Sequence, residues 1–284
     1  MRNRSGPPVS GDDFAFRDRE VAYAEKMLLD GNSVLVFGLR RLGKTSVLQE
    51  VKRRIESTGR GHCCLLDVQD MDSASQFFLA LLNALPREAE QSLGAWFARA
   101  KVLPNRLWST IQKRVRKGSF GGASVELEKD LVDYWQPLAE AVEQTVPTLD
   151  KPVIFLIDEL PFFIENLRDK GEKVALVNQL LATLRAWRNA GIPMAIAGSI
   201  SIDQLLEEFG LSNLLLNNVA RLELHPLSRP EAEELLARLV AAEGLRGWAP
   251  ETPGLVLDRL DDLFPFFVQC AFSHLRVQDR GDAA

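Results

Sequence analysis

SVLVFGLRRLGKTSVL, residues 33–48, decides how the rest of the chain is read. Ser33 to Phe37 is a short, β-branched apolar run. Gly38, Gly43, Lys44 and Thr45 then fit the spacing G-x-x-x-x-G-K-[ST], and Val47, Leu48, Val51 and Ile55 recur at helical spacing. Strand, glycine-bearing loop and helix in that order form a polyphosphate cradle, in which backbone N–H groups turn inward and the helix adds the positive end of its dipole. Gly38 and Gly43 allow backbone conformations and close approaches that a Cβ would obstruct. Gly38, Arg41, Leu42, Gly43, Lys44, Thr45 and Ser46 are therefore the phosphate-binding candidates. Lys44 is placed to reach the β- and γ-phosphates, and the Thr45 hydroxyl to hold Mg²⁺. The side chains of Arg40 and Arg41 are expected to face solvent or a partner rather than the nucleotide.

The 284 residues are 46% apolar and 26% charged, which marks an ordinary globular protein long enough for a large core and two domains. Thirty-four Lys plus Arg against 39 Asp plus Glu leave a net charge of −5, so nothing global attracts nucleic acid and any such binding must be local. The N-terminal MRNRSGPPVSGDD lacks the apolar core of a signal peptide, and no apolar run reaches membrane-spanning length. A cytoplasmic protein without a membrane partner is expected. Cys63, Cys64 and Cys270 have neither disulfide-framework nor metal-ligand spacing, and read as buried small hydrophobes.

Beyond the opening stretch, a helix is expected from about Glu20 to Leu29, a strand over 62–68 and amphipathic helices over 73–100. Basic residues without an acidic one fill 99–117; Ala123 to Glu128 alternates like a short exposed strand, and a helix follows through 131–145. VIFLI at 153–157 is a clear strand, a helix spans 174–189, and further strands are expected at 194–197 and 219–224. Apolar strands separated by helices imply an α/β fold, a parallel sheet covered on both faces. From Ser228 only helices are read: one opened by the capping box Ser228-Arg-Pro-Glu231 and running to about Glu243, then 251–260 and 264–277.

A phosphate loop binds a nucleotide, and hydrolysing it requires carboxylates from a second strand. Asp158 and Glu159 end the 153–157 run, which would project both beside the phosphates. Asp158 would belong to the Mg²⁺ shell, and Glu159 would be the base or positioning group for the attacking water. The same pair also reads as a capped helix start before Pro161. No N-K-x-D guanine-reading motif occurs, which favours ATP over GTP. Ser199, at the tip of the fourth strand, is a candidate polar sensor of the γ-phosphate or a turn residue after Gly198. Arg221 is a candidate for reaching a phosphate in its own or a neighbouring subunit, or a surface salt bridge.

Together GLRRLGKTSVL, VIFLIDEL, IAGSIS and LELHPLSRPEAEELL, in this order and spacing, resemble the archaeal-type P-loop ATPases of the AAA+/STAND assemblage over about residues 14–276. The resemblance is specific at the two Walker motifs. It implies a five-stranded parallel sheet of P-loop NTPase type in the order 5-1-4-3-2, with a small all-helical C-terminal lid. The organisation is then a polar tail over 1–13, an ATPase domain over 14–226 with a basic helical insertion at about 94–130, and the lid over 227–284. It also implies that the segment holding Phe16 and Arg17 lies against the adenine. The Gly-x-Pro-like lid turn common in relatives lacks its glycine here, leaving Pro265 as the candidate.

The functional expectation is an ATPase that acts as a Mg-dependent ATP switch of this type and signals to a protein partner or homo-oligomer, since the sequence ends at Ala284 directly after the lid. The alternative is a nucleic-acid-handling ATPase acting in replication, transposition or defence, through the basic stretch Arg99 to Lys117 with Trp96 and Trp108 nearby. That stretch also reads as a solvated helix face. Phe264, Phe266, Phe267 and Phe272 read as lid core, part of which could be an interface.

Overall fold

A computed structural model describes residues 1–4, 6–100, 134–199, 201–211, 216–245, 248–249 and 251–279. Five strands form one sheet: β1 (Val34–Phe37), β2 (His62–Asp67), β3 (Val153–Asp158), β4 (Met194–Gly198) and β5 (Ala220–Glu223). Their order is β2-β3-β4-β1-β5 and every pairing is parallel, as the resemblance implied. Parallel neighbours cannot be joined by hairpins, so helices carry the crossovers. α1 (Asp18–Leu29) precedes β1, α2 (Lys44–Ser57) follows it, and α3 (Ala74–Ala84) and α4 (Ala89–Ala100) follow β2. α5 (Trp135–Thr145) leads into β3; α6 (Leu160–Asp169) and α7 (Val174–Asn189) link β3 to β4, and α8 (Ile202–Glu208) comes after β4.

Alternation along the strands sorts side chains onto two buried faces. Val153, Phe155 and Ile157 of β3 join Leu35, Met194 and Ile196 in a cluster under α3, α5, α6 and α7. Ile154 and Leu156 join Val34, Val36, Ala195 and Ala197 under α1 and α2. Because both faces are covered, β3 is buried at all six positions, which explains its unbroken apolar sequence. The first cluster is rich in rings: Phe77 stacks on Phe163 at 5.0 Å between centroids, Phe78 stacks on Trp135 at 5.4 Å, and Trp187 meets Phe78 edge-on at 5.6 Å. Cys63 and Cys64 are buried and unbridged in β2, and burial pushes both thiols up to about 12.

After β5 come α9 (Arg229–Glu243), α10 (Thr252–Leu257) and α11 (Pro265–Asp279). Ser228 and Glu231 form the expected capping box, with Pro230 in the first turn. These helices bury their own cluster, which includes Leu227, Leu235, Leu236, Leu239, Leu257, Val268 and Phe272. Phe264 instead packs into the sheet-side cluster with Val36, Leu42 and Leu224.

Several bounds differ from expectation. The helical run over 73–100 breaks at Leu85-Pro86, because proline disfavours a helical residue before it. α8 was not expected, and α6 begins where the alternative reading of Asp158-Glu159 put a helix start before Pro161. The basic residues beyond Ala100 and the strand expected at 123–128 lie outside the described residues. Among those described, no helix is long and apolar enough to cross a membrane.

Candidate functional site

Parallel strands bring their C-terminal ends to one sheet edge, and register sets what meets there. Phe37 is aligned with Gly198, and Asp67 with Asp158, so the loop after β1, the acids ending β2 and β3 and the turn after β4 form one row. In the loop, Gly38, Arg41 and Gly43 all have positive φ, at 140°, 70° and 93°. A Cβ at Gly38 would lie 2.8 Å from the Leu224 carbonyl oxygen, so this position requires glycine for space as well as for φ. The Lys44 side chain, in a residue only 5% exposed, donates to the Gly38 carbonyl at 2.8 Å and the Leu39 carbonyl at 3.0 Å. Burial lowers its pKa, against the opposing pull of Glu159 and Asp158.

Thr45 and Asp158, 113 positions apart, meet directly: the Thr45 hydroxyl donates to Asp158 Oδ2 at 2.5 Å. Asp158 is 2% exposed, and its Oδ1 is buried with no hydrogen-bond partner among the described residues. Its pKa is raised to about 6 by burial first, then by the charges of Glu159 and Asp67, although the Thr45 hydrogen bond and Lys44 oppose the shift. A buried carboxylate with one unused oxygen beside a hydroxyl suits a hard cation such as Mg²⁺, which takes oxygen ligands. Among the described residues no cluster of three His, Cys, Asp or Glu could form an all-protein cage. One carboxylate and one hydroxyl fit an ion whose remaining ligands are phosphate oxygens and water.

Glu159 has left-handed backbone (φ 60°), uncommon for a residue with a side chain, and its carboxylate does not cap α6. It is held by Ser199, whose N–H donates to Oε2 at 2.9 Å and whose hydroxyl donates to Oε1 at 2.6 Å. A helix does start here, yet the acid that precedes it is turned to the sheet edge.

Gly43, Lys44, Thr45, Asp158, Glu159 and Ser199 line one cavity of about 570 Å³. Its other walls are the N-terminal residues Arg4 and Gly6 to Val9, Arg40, Arg41, Asp67, Gln69, and Pro265, Phe266 and Gln269 of α11. An adjoining recess shares Val9, Gly43, Ser46, Pro265 and Gln269, and adds Phe14, Phe16, Arg17, Leu42 and Leu227.

Solved structures with similar architecture include a Walker-type ATPase of Pyrococcus abyssi, at TM-score 0.59 and 18% identity, covering 99% of this chain and 73% of that one. The ORC1 protein of Aeropyrum pernix in complex with DNA matches at TM-score 0.54 and 16% identity, over 96% of this chain and 61% of that one. Domain III of the Thermotoga maritima replication initiation protein DnaA matches at TM-score 0.52 and 15% identity, over 96% and 86%. The fold is the P-loop NTPase α/β fold, shared with these structures. At these identities the likeness is one of fold. No family model matches the sequence, and no curated protein matches it.

Within this fold the sequence-derived residues fall into three places. Gly43, Lys44, Thr45, Ser46, Asp158, Glu159, Ser199, Arg41 and Pro265 share the main cavity. Phe16, Arg17 and Leu42 line the adjoining recess. There the Arg238 guanidinium lies 4.9 Å from the Phe16 ring, while buried Arg17 donates to Glu20 at 3.1 Å and to the His225 carbonyl. Arg221 lies apart: it makes a two-pronged salt bridge to Asp203, at 2.9 and 3.1 Å, and lines a separate concavity with Ser199, Gly38 and Leu39. Arg41 is exposed on the wall of the main cavity, and its guanidinium lies 4.2 Å from the Phe266 ring centroid, tying the loop to α11. Sequence reading missed Arg4 and Val9 as wall residues, treating 1–13 as a polar tail. The available signal was Pro7-Pro8-Val9, a stiff and partly apolar run that an unattached tail does not need.

Proposed function

We propose that this protein binds Mg-ATP and hydrolyses it, working as a switch whose nucleotide state is passed to a protein partner or a further copy of itself. The reading divides the chain into an ATPase domain at 14–226 and a lid at 227–284. The observation that carries it is the meeting of Thr45 with Asp158 and its unpartnered oxygen, beside a buried lysine folded onto a positive-φ loop. These are the parts phosphoryl transfer needs at one sheet edge. Thr45 and Asp158 would hold Mg²⁺, which when bound would neutralise charge on the phosphate oxygens. Lys44 leaves the loop carbonyls for the phosphates. Glu159 takes the proton of a water that attacks the terminal phosphorus as the bond to the ADP oxygen breaks. Ser199 orients that carboxylate, and Arg221 is assigned to a phosphate in its own or a neighbouring subunit. Phe16 and Arg17 are assigned to the adenine side, with Pro265 closing over it. The cavity walls come from both core and lid, so occupancy and lid position are coupled.

The nucleic-acid alternative rests on a basic stretch that runs outside the described residues, and no observation among those described favours it. The test of the ATP reading is titration of the full chain with Mg-ATP. Lys44→Ala is expected to lose affinity at least tenfold, and Glu159→Gln to bind ATP while turning over at least a hundredfold more slowly. Unchanged ATP affinity in Lys44→Ala would sink the site assignment, and normal turnover in Glu159→Gln would remove that residue from its role.

A further inference from the structure

We propose that Arg4, in the N-terminal strap, contacts the β- or γ-phosphate in the nucleotide site, poised by a carboxylate that can release it. The inference rests on the ATP-binding reading above and adds to it a cation from outside the loop and the sheet.

The strap is pinned at both ends. On one side Asn3 donates to the Ser273 hydroxyl at 2.6 Å and the Gln269 carbonyl at 3.4 Å, both on α11. On the other the Val9 N–H donates to the Ser46 hydroxyl at 3.1 Å, and the Gly11 N–H to buried Glu50 at 2.8 Å, both on α2. Pro7 and Pro8 restrict the span between them. Arg4 therefore cannot swing clear of the cleft while these anchors hold, and it lines the same cavity as Lys44, Thr45, Asp158 and Glu159.

Three arginines line that cavity, and they differ in what occupies them. Arg40 lies over the Phe162 ring at 5.8 Å, and Arg41 over Phe266. Among the described residues Arg4 has one partner, Asp13, reached by Nε at 3.3 Å. Asp13 does not depend on it. Arg2 already gives that carboxylate its backbone N–H at 2.6 Å and its side-chain Nε and Nη2 at 3.1 Å each. Losing one partner of a buried carboxylate is costly when it leaves the charge unpaired. Here Arg2 stays, so Arg4 can exchange Asp13 for a phosphate without orphaning it. A guanidinium fork suits a phosphate, and the Arg4 side chain is 37% exposed on the wall of the cavity.

The experiment is calorimetric titration of the full chain with Mg-ATP, and competition with AMP, comparing wild type with Arg4→Ala, Arg4→Lys and Lys44→Ala. Arg4→Ala is expected to weaken ATP binding about tenfold, with AMP binding and the nucleotide-free melting temperature unchanged and partial recovery in Arg4→Lys. Wild-type ATP affinity in Arg4→Ala overturns the proposal, as does an equal loss for ATP and AMP, which would mean displacement of the strap. If Lys44→Ala loses ATP while Arg4→Ala does not, the ATP reading stands and only this inference falls. If both bind ATP like wild type, the ATP reading itself has failed.

Discussion

Asp158 is the residue at which stability and function pull apart. Its carboxylate is buried, one oxygen is unpartnered, and its pKa of about 6 lies above the ordinary 3.8. A folded-state pKa raised above the unfolded value means that the folded chain binds the proton more tightly, so this group's destabilisation is fully present above about pH 6. It is relieved as the pH falls from about 6 toward 3.8. Asp158→Asn keeps an acceptor for the Thr45 hydroxyl and removes the buried charge. Without metal or nucleotide, that variant is expected to melt roughly 2–6 °C above wild type at pH 7.5, with the gain shrinking at pH 5. The same variant should lose the Mg²⁺ dependence of ATP binding. A lower melting temperature at pH 7.5, read by scanning fluorimetry, would refute this account of Asp158. The Asp-Glu pair was legible in sequence because an apolar strand ended in two acids. That Glu159 would be held by Ser199 was not, since the contact joins two strands 40 positions apart.

At the scale of elements, the phosphate loop is held by two glycines with different requirements. Gly43 needs only its φ of 93°, since a Cβ there would meet nothing within 4 Å. Gly38 combines φ 140° with a Cβ position 2.8 Å from the Leu224 carbonyl and 3.1 Å from Leu42 Cδ1. Gly43→Ala is therefore expected to cost about 1 kcal/mol and Gly38→Ala about 3 kcal/mol, measured by denaturant unfolding of the nucleotide-free protein. The reverse ranking would show that Leu224, just past β5, does not press on the loop as described. Element legibility followed local pattern. α7 has an unambiguous period and β3 an unbroken apolar run, whereas α6 opens on Leu160-Pro161-Phe162-Phe163, a second short apolar run just past Asp158 and Glu159 in which a 3.6 period is not yet visible. α8 has only seven residues, too short for its period to declare itself.

For the whole molecule, Phe264 joins two units that the sequence presents as consecutive. It sits at the head of the last lid helix, and the Leu227 N–H donates to the neighbouring Leu263 carbonyl at 2.9 Å. Its ring, however, packs with Val36, Leu42 and Leu224 of the sheet side. Phe264→Ala removes a ring that is 7% exposed and is expected to cost about 3–5 kcal/mol. It should also uncouple the lid, splitting calorimetric unfolding into two transitions with the lid melting first. A single transition at the wild-type temperature would show that the ring is not the joint between lid and sheet.

What the sequence determined by itself was local chemistry: a strand, a positive-φ loop and a helix around Gly38 to Thr45, acids at the end of a fully buried strand, and a helical C-terminal segment. Each is written in neighbouring residues and their period. Only the tertiary structure decided which distant groups share a cavity. It brought Thr45 to Asp158, turned Glu159 onto Ser199, paired Arg221 with Asp203, and put Arg4 on the wall of the same cavity as Lys44. Such contacts depend on strand order, register and anchoring between elements far apart in the chain, and a one-dimensional pattern does not encode them.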